Sequence, residues 1–195
     1  TIEITETSLP AFKKALTEGT LDVGLASEVS TVPYGSLVQV LREEEVFLAI
    51  SMFHPYALTH PSGTPITAEE VKTNFAGDSL LLSKKGASLR MIGDQFFDSC
   101  GFEPVAVCET NNISATRSMV AQNAGVAFIS ESCSVNRNHI AYYPLSPAMK
   151  RLNLVVRQKD WVLNEPEQAF MDHILNYFKQ NTEHPYLAEK YSISF

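Results

Sequence analysis

Apolar positions recur along this chain in two rhythms, one of period two and one near 3.6, and the segments they mark follow one another as strand, helix, strand. Thr1 to Glu6 alternates, with Ile2 and Ile4 on one face and Glu3 and Thr5 on the other, which predicts a half-buried strand. Thr7 or Ser8 is placed to cap the next helix, and Pro10 suits its first turn. Leu9, Phe12, Ala15 and Leu16 form the apolar stripe of that helix, and Gly19 ends it. Leu21 to Ala26 is mostly apolar and predicts a buried strand with parallel neighbours. The layout of Ile4 to Glu28 returns in Val107 to Glu131. Glu109-Thr110 stands where Glu6-Thr7 stood, and Ser130-Glu131 where Ser27-Glu28 stood. The two segments share an order of elements, not a run of identical residues.

Between and after these units the same reasoning continues. Pro33-Tyr34-Gly35 is a turn. Ser36 to Leu41 and Val46 to Ser51 are strands, joined by a solvated connection through Glu43, Glu44 and Glu45. Phe53 to Pro65 carries three X-Pro pairs and resists helix, so it predicts a crossover loop. Thr67 with Glu70 forms a capping box for a short helix. Ser79 to Ser83 is a strand, and Lys84-Lys85-Gly86 a loop. Ser88 caps a helix to Cys100 that presents Met91, Ile92, Gln95 and Phe96 on one side, with Gly101 closing it. Val105 to Cys108 is a strand. Asn111 or Asn112 caps a helix through Asn123, with Ile113, Thr116, Met119 and Val120 on one face; Gly125 stops it before the strand Val126 to Ser130. His139 to Leu145 and Arg151 to Arg157 are strands. Pro166 starts a last helix with Phe170, Ile174, Tyr177 and Phe178 inward, and His184-Pro185 ends it. Alternating strands and helices predict an α/β fold of two Rossmann-like lobes with mostly parallel sheets. The chain leaves lobe one near Met52 and returns near Val155 on two crossover strands. Lobe one is then 1–52 plus 156–195, and lobe two 53–155.

Composition narrows the function. The 195 residues hold 45% hydrophobic and 19% charged positions, an ordinary globular balance. A net charge of −7 makes this chain by itself a poor grip for phosphate backbones. No stretch reaches the roughly 18 apolar residues of a membrane span, and no signal-peptide pattern opens the chain. Three cysteines without a CxxC fit a reducing cytoplasm, and Cys100 and Cys108 read as small buried hydrophobes. The five histidines lack HxH or HExxH spacing, so no metal site is expected. There is no GxSxG, GxGxxG or P-loop, and no nucleophile–base spacing, so neither catalytic residues nor a cofactor are expected.

What remains is a constellation of small polar residues where strands end and helices begin. Thr7, Ser8, Thr110, Asn111 and Asn112 lie beside free backbone N–H groups and the positive ends of helix dipoles. Ser27 and Ser83 end strands and are expected to point toward the same space, as is Ser130; Lys84 and Lys85 are ordinary solvated loop lysines. The structural alternative is that these residues only cap helices. The functional expectation is that two such rims, one per lobe, close on a small anion or polar metabolite, because open α/β sheets bind ligands beyond the carboxyl ends of their strands.

Several stretches together carry a resemblance. Ala15-Leu-Thr-Glu-Gly-Thr-Leu-Asp-Val-Gly-Leu25, Val46-Phe-Leu-Ala-Ile50 leading to His54-Pro55, Glu109, Met119-Val-Ala-Gln-Asn-Ala-Gly-Val-Ala-Phe-Ile129, Leu152 to Arg157, Pro166 and Ala169-Phe170 follow one another in the order of a known pattern. The chain resembles the effector-binding domain of LysR-type transcriptional regulators, a fold like that of type 2 periplasmic binding proteins. The resemblance implies that Thr1 falls in the second strand of lobe one. It also implies that the family's first effector-domain strand and helix and its winged helix-turn-helix are not in this chain, so that DNA is met only through that missing N-terminal part. It further implies a homodimer or tetramer, a cytoplasmic location, a small-molecule effector, and a pocket at Thr7, Ser8, the Ala26-Ser27 end, Ser83 and the Thr110 to Asn112 loop. The strand at Val126 departs from the pattern: Glu131-Ser132 stands where a proline often follows. A solute-binding protein of a transporter is the alternative built on the same cleft.

Overall fold

The computed structural model describes residues 2–31, 36–158 and 162–180. In chain order these form α1 (Leu9–Glu18), β1 (Val23–Glu28), β2 (Ser36–Ser51), α2 (Pro55–Thr59), β3 (Ile66–Thr67), α3 (Ala68–Phe75), β4 (Leu80–Leu82), α4 (Ser88–Asp98), β5 (Ala106–Glu109), α5 (Ile113–Ala121), β6 (Val126–Ser130), β7 (Ile140–Ser146), β8 (Lys150–Gln158) and α6 (Glu165–Gln180). A 3-10 turn, Glu131–Cys133, follows β6. The hydrogen-bonding order of the strands is β1-β8-β2-β6-β4-β5, with β7 pairing β2 and β3. The described residues divide into two compact units, one within Thr1–Glu43 and Leu152–Glu183, the other within Glu44–Arg151. No helix among them is long and apolar enough to cross a membrane.

In the first unit, α1 buries Phe12 and Leu16 against Leu154 and Val156 of β8, with Leu9, Leu21 and Val38 at the margin of the cluster. Gly19 ends the helix at φ 70, and the Thr20 amide turns back to the Ala15 carbonyl. Gly24 is required by contact: a Cβ there would overlap the Phe12 ring. β1 lies antiparallel to β8, Val23 opposite Arg157 and Glu28 opposite Leu152, where its apolar run predicts a parallel neighbour. Only its Gly24 and Glu28 are buried, so the run is a half-covered strand and not a central one. No strand forms over residues 2–6. Ile2 and Ile4 are exposed, and an alternating pattern makes a strand only where another backbone completes the ladder. In α6 the buried positions are Met171 and Ile174, while Tyr177 is exposed. The Pro33-Tyr34-Gly35 turn and His184-Pro185 lie outside the described residues.

The second unit is built on three parallel strands. β4 pairs β5 on one side and β6 on the other, both parallel. β6 and β7 then flank β2 antiparallel. Phe47, Ala49, Leu81, Val120, Ala127, Ile129, Ile140 and Tyr142 fill one core. Across β6 from it, Phe96, Phe97 and Phe128 meet edge to face or tilted. Gly125 lets β6 enter close to β4; a Cβ there would lie 2.5 Å from the Ser79 carbonyl oxygen. The α4 stripe is rotated from expectation: Leu89, Ile92, Phe96 and Phe97 are buried and Met91 is exposed. Ser88 is buried inside α4, and Ala87 takes the cap position. The 53–65 stretch is not all loop, because the His54 ring Nδ1 accepts the Tyr56 N–H and caps a single turn, α2.

The acidic run overturns its expectation. Residues 36–51 form one continuous strand, and Glu44 is 1% exposed within it. Its Oε1 receives the Arg151 Nε at 2.6 Å, and its Oε2 the Ser132 N–H at 3.0 Å. Arg151 Nη2 also donates to the Ser130 hydroxyl at 2.8 Å. Alternation along a strand explains why Glu43 is exposed while Glu44 is buried.

Two measurements follow from these contacts. Thr67 and Glu70 cap α3 reciprocally, so Thr67→Ala costs about 1 kcal/mol in denaturant unfolding at neutral pH. Hydrogen bonds from the Thr67 hydroxyl and amide hold the Glu70 carboxyl below its usual range. The folded state therefore binds fewer protons there than the unfolded state. The stabilisation is full above the unfolded glutamate pKa of about 4.3 and fades as pH falls through the lower folded value, so the Thr67→Ala deficit narrows in acid. At the buried pair, Arg151→Met removes the charged partner of Glu44 and costs about 3 kcal/mol in the same assay, whereas Glu44→Met with Arg151→Leu costs less than that single change.

Candidate functional site

In parallel pairing, strands that run together end together. Leu82 of β4 sits opposite Glu109 of β5, so the residues that follow, Ser83 and Thr110, emerge side by side. The two turns are then joined. The Thr110 N–H donates to the Leu82 carbonyl at 2.9 Å, and the Lys84 N–H donates to Asn111 Oδ1 at 2.9 Å. Within the second turn the Thr110 hydroxyl oxygen accepts the Asn112 N–H at 3.1 Å, and Asn112 Oδ1 accepts the Ala115 N–H at 3.0 Å, capping α5. Ser83, Thr110, Asn111 and Asn112 thus form one polar rim in the second unit.

The rim is rich in donors. The first amides of α5, Ile113 and Ser114, have no carbonyl one turn back to bond and stand at the positive end of the helix dipole. Asn111 commits its oxygen to Lys84, which leaves its amide nitrogen for something else. Lys84 and Lys85 are both exposed. Behind the rim, Arg90 Nε donates to Asp94 at 2.8 Å, and its Nη1 donates to Glu109 at 2.6 Å and to the Ser83 carbonyl at 3.3 Å. Hydrogen bonds to Asp94 first and Glu109 second push the Arg90 guanidinium above its usual range. The acidic side chain nearest the rim is therefore already paired. Sequence patterning had not singled out Arg90; its signal was only the spacing to Asp94, four residues on.

In the first unit, Thr7 and Ser8 are exposed, and Ser8 takes the cap position of α1 without a side-chain hydrogen bond. Among the described residues neither hydroxyl has a hydrogen-bond partner, unlike the working cap of Asn112. Ser27 differs: its hydroxyl donates to Asn153 Oδ1 at 2.7 Å across the β1–β8 pair. Ser130 is fully buried and held by Arg151, so it lines no rim. No hydrogen bond to a histidine or carboxylate activates the Ser83 or Thr110 hydroxyl, and among the described residues no group of three His, Cys, Asp or Glu is disposed to hold a metal. The arrangement suits hydrogen bonding to a polar ligand.

Comparison with known proteins agrees with this architecture. The family model "LysR substrate binding domain" matches residues 1–179. An HTH-type transcriptional regulator of Bacillus subtilis strain 168, YybE, is 25% identical over 85% of this chain and 54% of its own length, so the chain spans about half of that relative. Among solved structures, the effector-binding domain of QuiR in complex with shikimate is similar at TM-score 0.70 and 17% identity, over 89% of this chain and 79% of that one. The regulatory domain of CcmR from Synechocystis PCC6803 in complex with 2-PG gives 0.71 and 18%, over 89% and 81%. A C-terminal domain of a LysR family regulator from Rhodococcus sp. RHA1 gives 0.73 and 17%, over 89% and 83%. With the family model covering most of its length, the chain belongs to the LysR substrate-binding domain family.

Proposed function

We propose that this domain is the ligand-sensing part of a cytoplasmic LysR-type transcriptional regulator, and that it binds a small polar or anionic metabolite without transforming it. The observation that carries the reading is the rim of Ser83, Thr110, Asn111 and Asn112, where two turns are held together and their donors left outward beside the start of α5. Thr7, Ser8 and Ser27 are the proposed contacts in the first unit; of these, Thr7 and Ser8 are the better candidates because Ser27 is engaged by Asn153. Similar domains hold shikimate and 2-PG, which supports an oxygen-rich, acidic ligand class. Binding would then favour one state of the regulator on its operator, by as much as the ligand prefers that state. The similarity to an HTH-type regulator supports this reading over a transporter's solute-binding protein.

We also propose that the protein works as a dimer or tetramer. Met91 of α4 and the flanks of the edge strand β5 are apolar and exposed, Val105 at 71% and Val107 at 61%. A second copy is the proposed cover, because an open edge strand with apolar flanks is otherwise a route to aggregation.

A thermal-shift screen of small hydroxy-acids, phosphorylated acids and amino acids identifies the effector. A compound at 100 times its dissociation constant adds about 2.7 kcal/mol of stability. Thr110→Val and Ser83→Ala should each weaken that compound by about tenfold, the worth of one lost hydrogen bond; unchanged affinity in both removes the rim from the site. Val107→Glu should lower the molecular mass measured by light scattering. A mass equal to that of the parent protein excludes β5 from the interface.

A further inference from the structure

Arg90 is not part of the rim, yet its hydrogen bonds tie the ends of both strands that lead into the rim to α4. Its side chain is 13% exposed. Asp94, one turn on along α4, fixes the guanidinium through Nε. Nη1 then reaches the last residue of β5, Glu109, and the first residue after β4, Ser83. A carboxylate and a carbonyl oxygen thus converge on one nitrogen. Both are acceptors, and without a donor between them they repel, which would part the two strand ends just where the Ser83 and Thr110 turns begin. The remaining ties between those turns are two neutral hydrogen bonds.

We propose that Arg90 is a positioning residue for ligand recognition: it sets the spacing between the Ser83 turn and the Thr110–Asn112 turn without touching the ligand. The inference rests on the effector reading of this rim but is separable from it. A planar fork is required, because one group must bond Asp94 and the two strand ends at once. Lysine keeps the charge but, as a point donor, cannot hold that geometry.

The test uses the 195-residue chain with Arg90→Met and Arg90→Lys, and inorganic phosphate as the probe. Amide hydrogen exchange is followed by NMR at Thr110 and Lys84, with Val120 in the core as the internal control, and phosphate binding from shifts at Ile113 and Ser114. The expected result is about tenfold faster exchange at Thr110 and Lys84 in both variants, Val120 unchanged, and phosphate affinity down by about tenfold, the scale of about one hydrogen bond. Exchange unchanged at Thr110 and Lys84 overturns the proposal. So does faster exchange with phosphate affinity intact. Rescue of binding by Arg90→Lys also overturns it, since that outcome marks a simple charge effect. If phosphate leaves the parent protein unshifted and Thr110→Val changes no ligand's affinity, the effector reading fails, and the exchange rates alone decide whether Arg90 holds the turns.

Discussion

The second unit depends on β4 being hydrogen-bonded on both sides by strands running its own way. Leu80–Leu82 is only three residues long, and all three are buried. Parallel partners on both flanks require the chain to return over a helix each time, and α4 and α5 supply those returns. At the entry edge the Ser79 carbonyl receives the Val126 N–H, which Gly125 permits by lacking a side chain. At the exit edge the same parallel geometry leaves Ser83 beside Thr110. The placement of the polar rim is therefore a consequence of backbone pairing, and the side chains only refine it.

Two arginines then show how one residue type serves two ends. Arg151 meets the buried Glu44 and the buried Ser130, and its partners have no access to water. Such a pair adds little net stability over apolar residues of the same shape, but it makes other registers of β2 costly because each would strand a charge. Arg90 meets carboxylates that are about half exposed, Asp94 at 49% and Glu109 at 43%. Screening reduces its Coulombic contribution, so what it supplies is geometry: a fork joining a helix to two strand ends.

The sequence made much of this visible, and the parts it hid have physical causes. The continuous run Val126 to Ser130 and the Thr67–Glu70 box were legible because one is set by burial on both faces and the other by local hydrogen bonds. A cap at Asn111 or Asn112 was legible for the same local reason, and contacts show that it is Asn112. The direction of β1 was not, because an apolar run states how much is buried and not which way its neighbour points. Glu44 was hidden because its burial depends on Arg151, over a hundred residues away. The alternation over residues 2–6 misled because it describes one face of a strand, while the strand itself needs a partner. Of the candidate site, the residue types at strand ends were readable. Which hydroxyls were already spent, as Ser27 is on Asn153 and Ser130 on Arg151, was a matter of tertiary contact.

The chain's net charge of −7 at first opposes an anionic ligand. Screening settles the conflict, because at physiological ionic strength exposed charges beyond about 8 Å are largely muted. What a ligand at the rim meets is therefore local. Glu109, beside the rim, has one carboxylate oxygen held by Arg90. The Asn111 oxygen is engaged by the Lys84 N–H and the Asn112 oxygen by the first turn of α5. The groups left at the rim include hydroxyls, two side-chain amide nitrogens and the first N–H groups of a helix. With both asparagine oxygens engaged, the rim is weighted toward donors, which is the physical basis of the acidic ligand class proposed above.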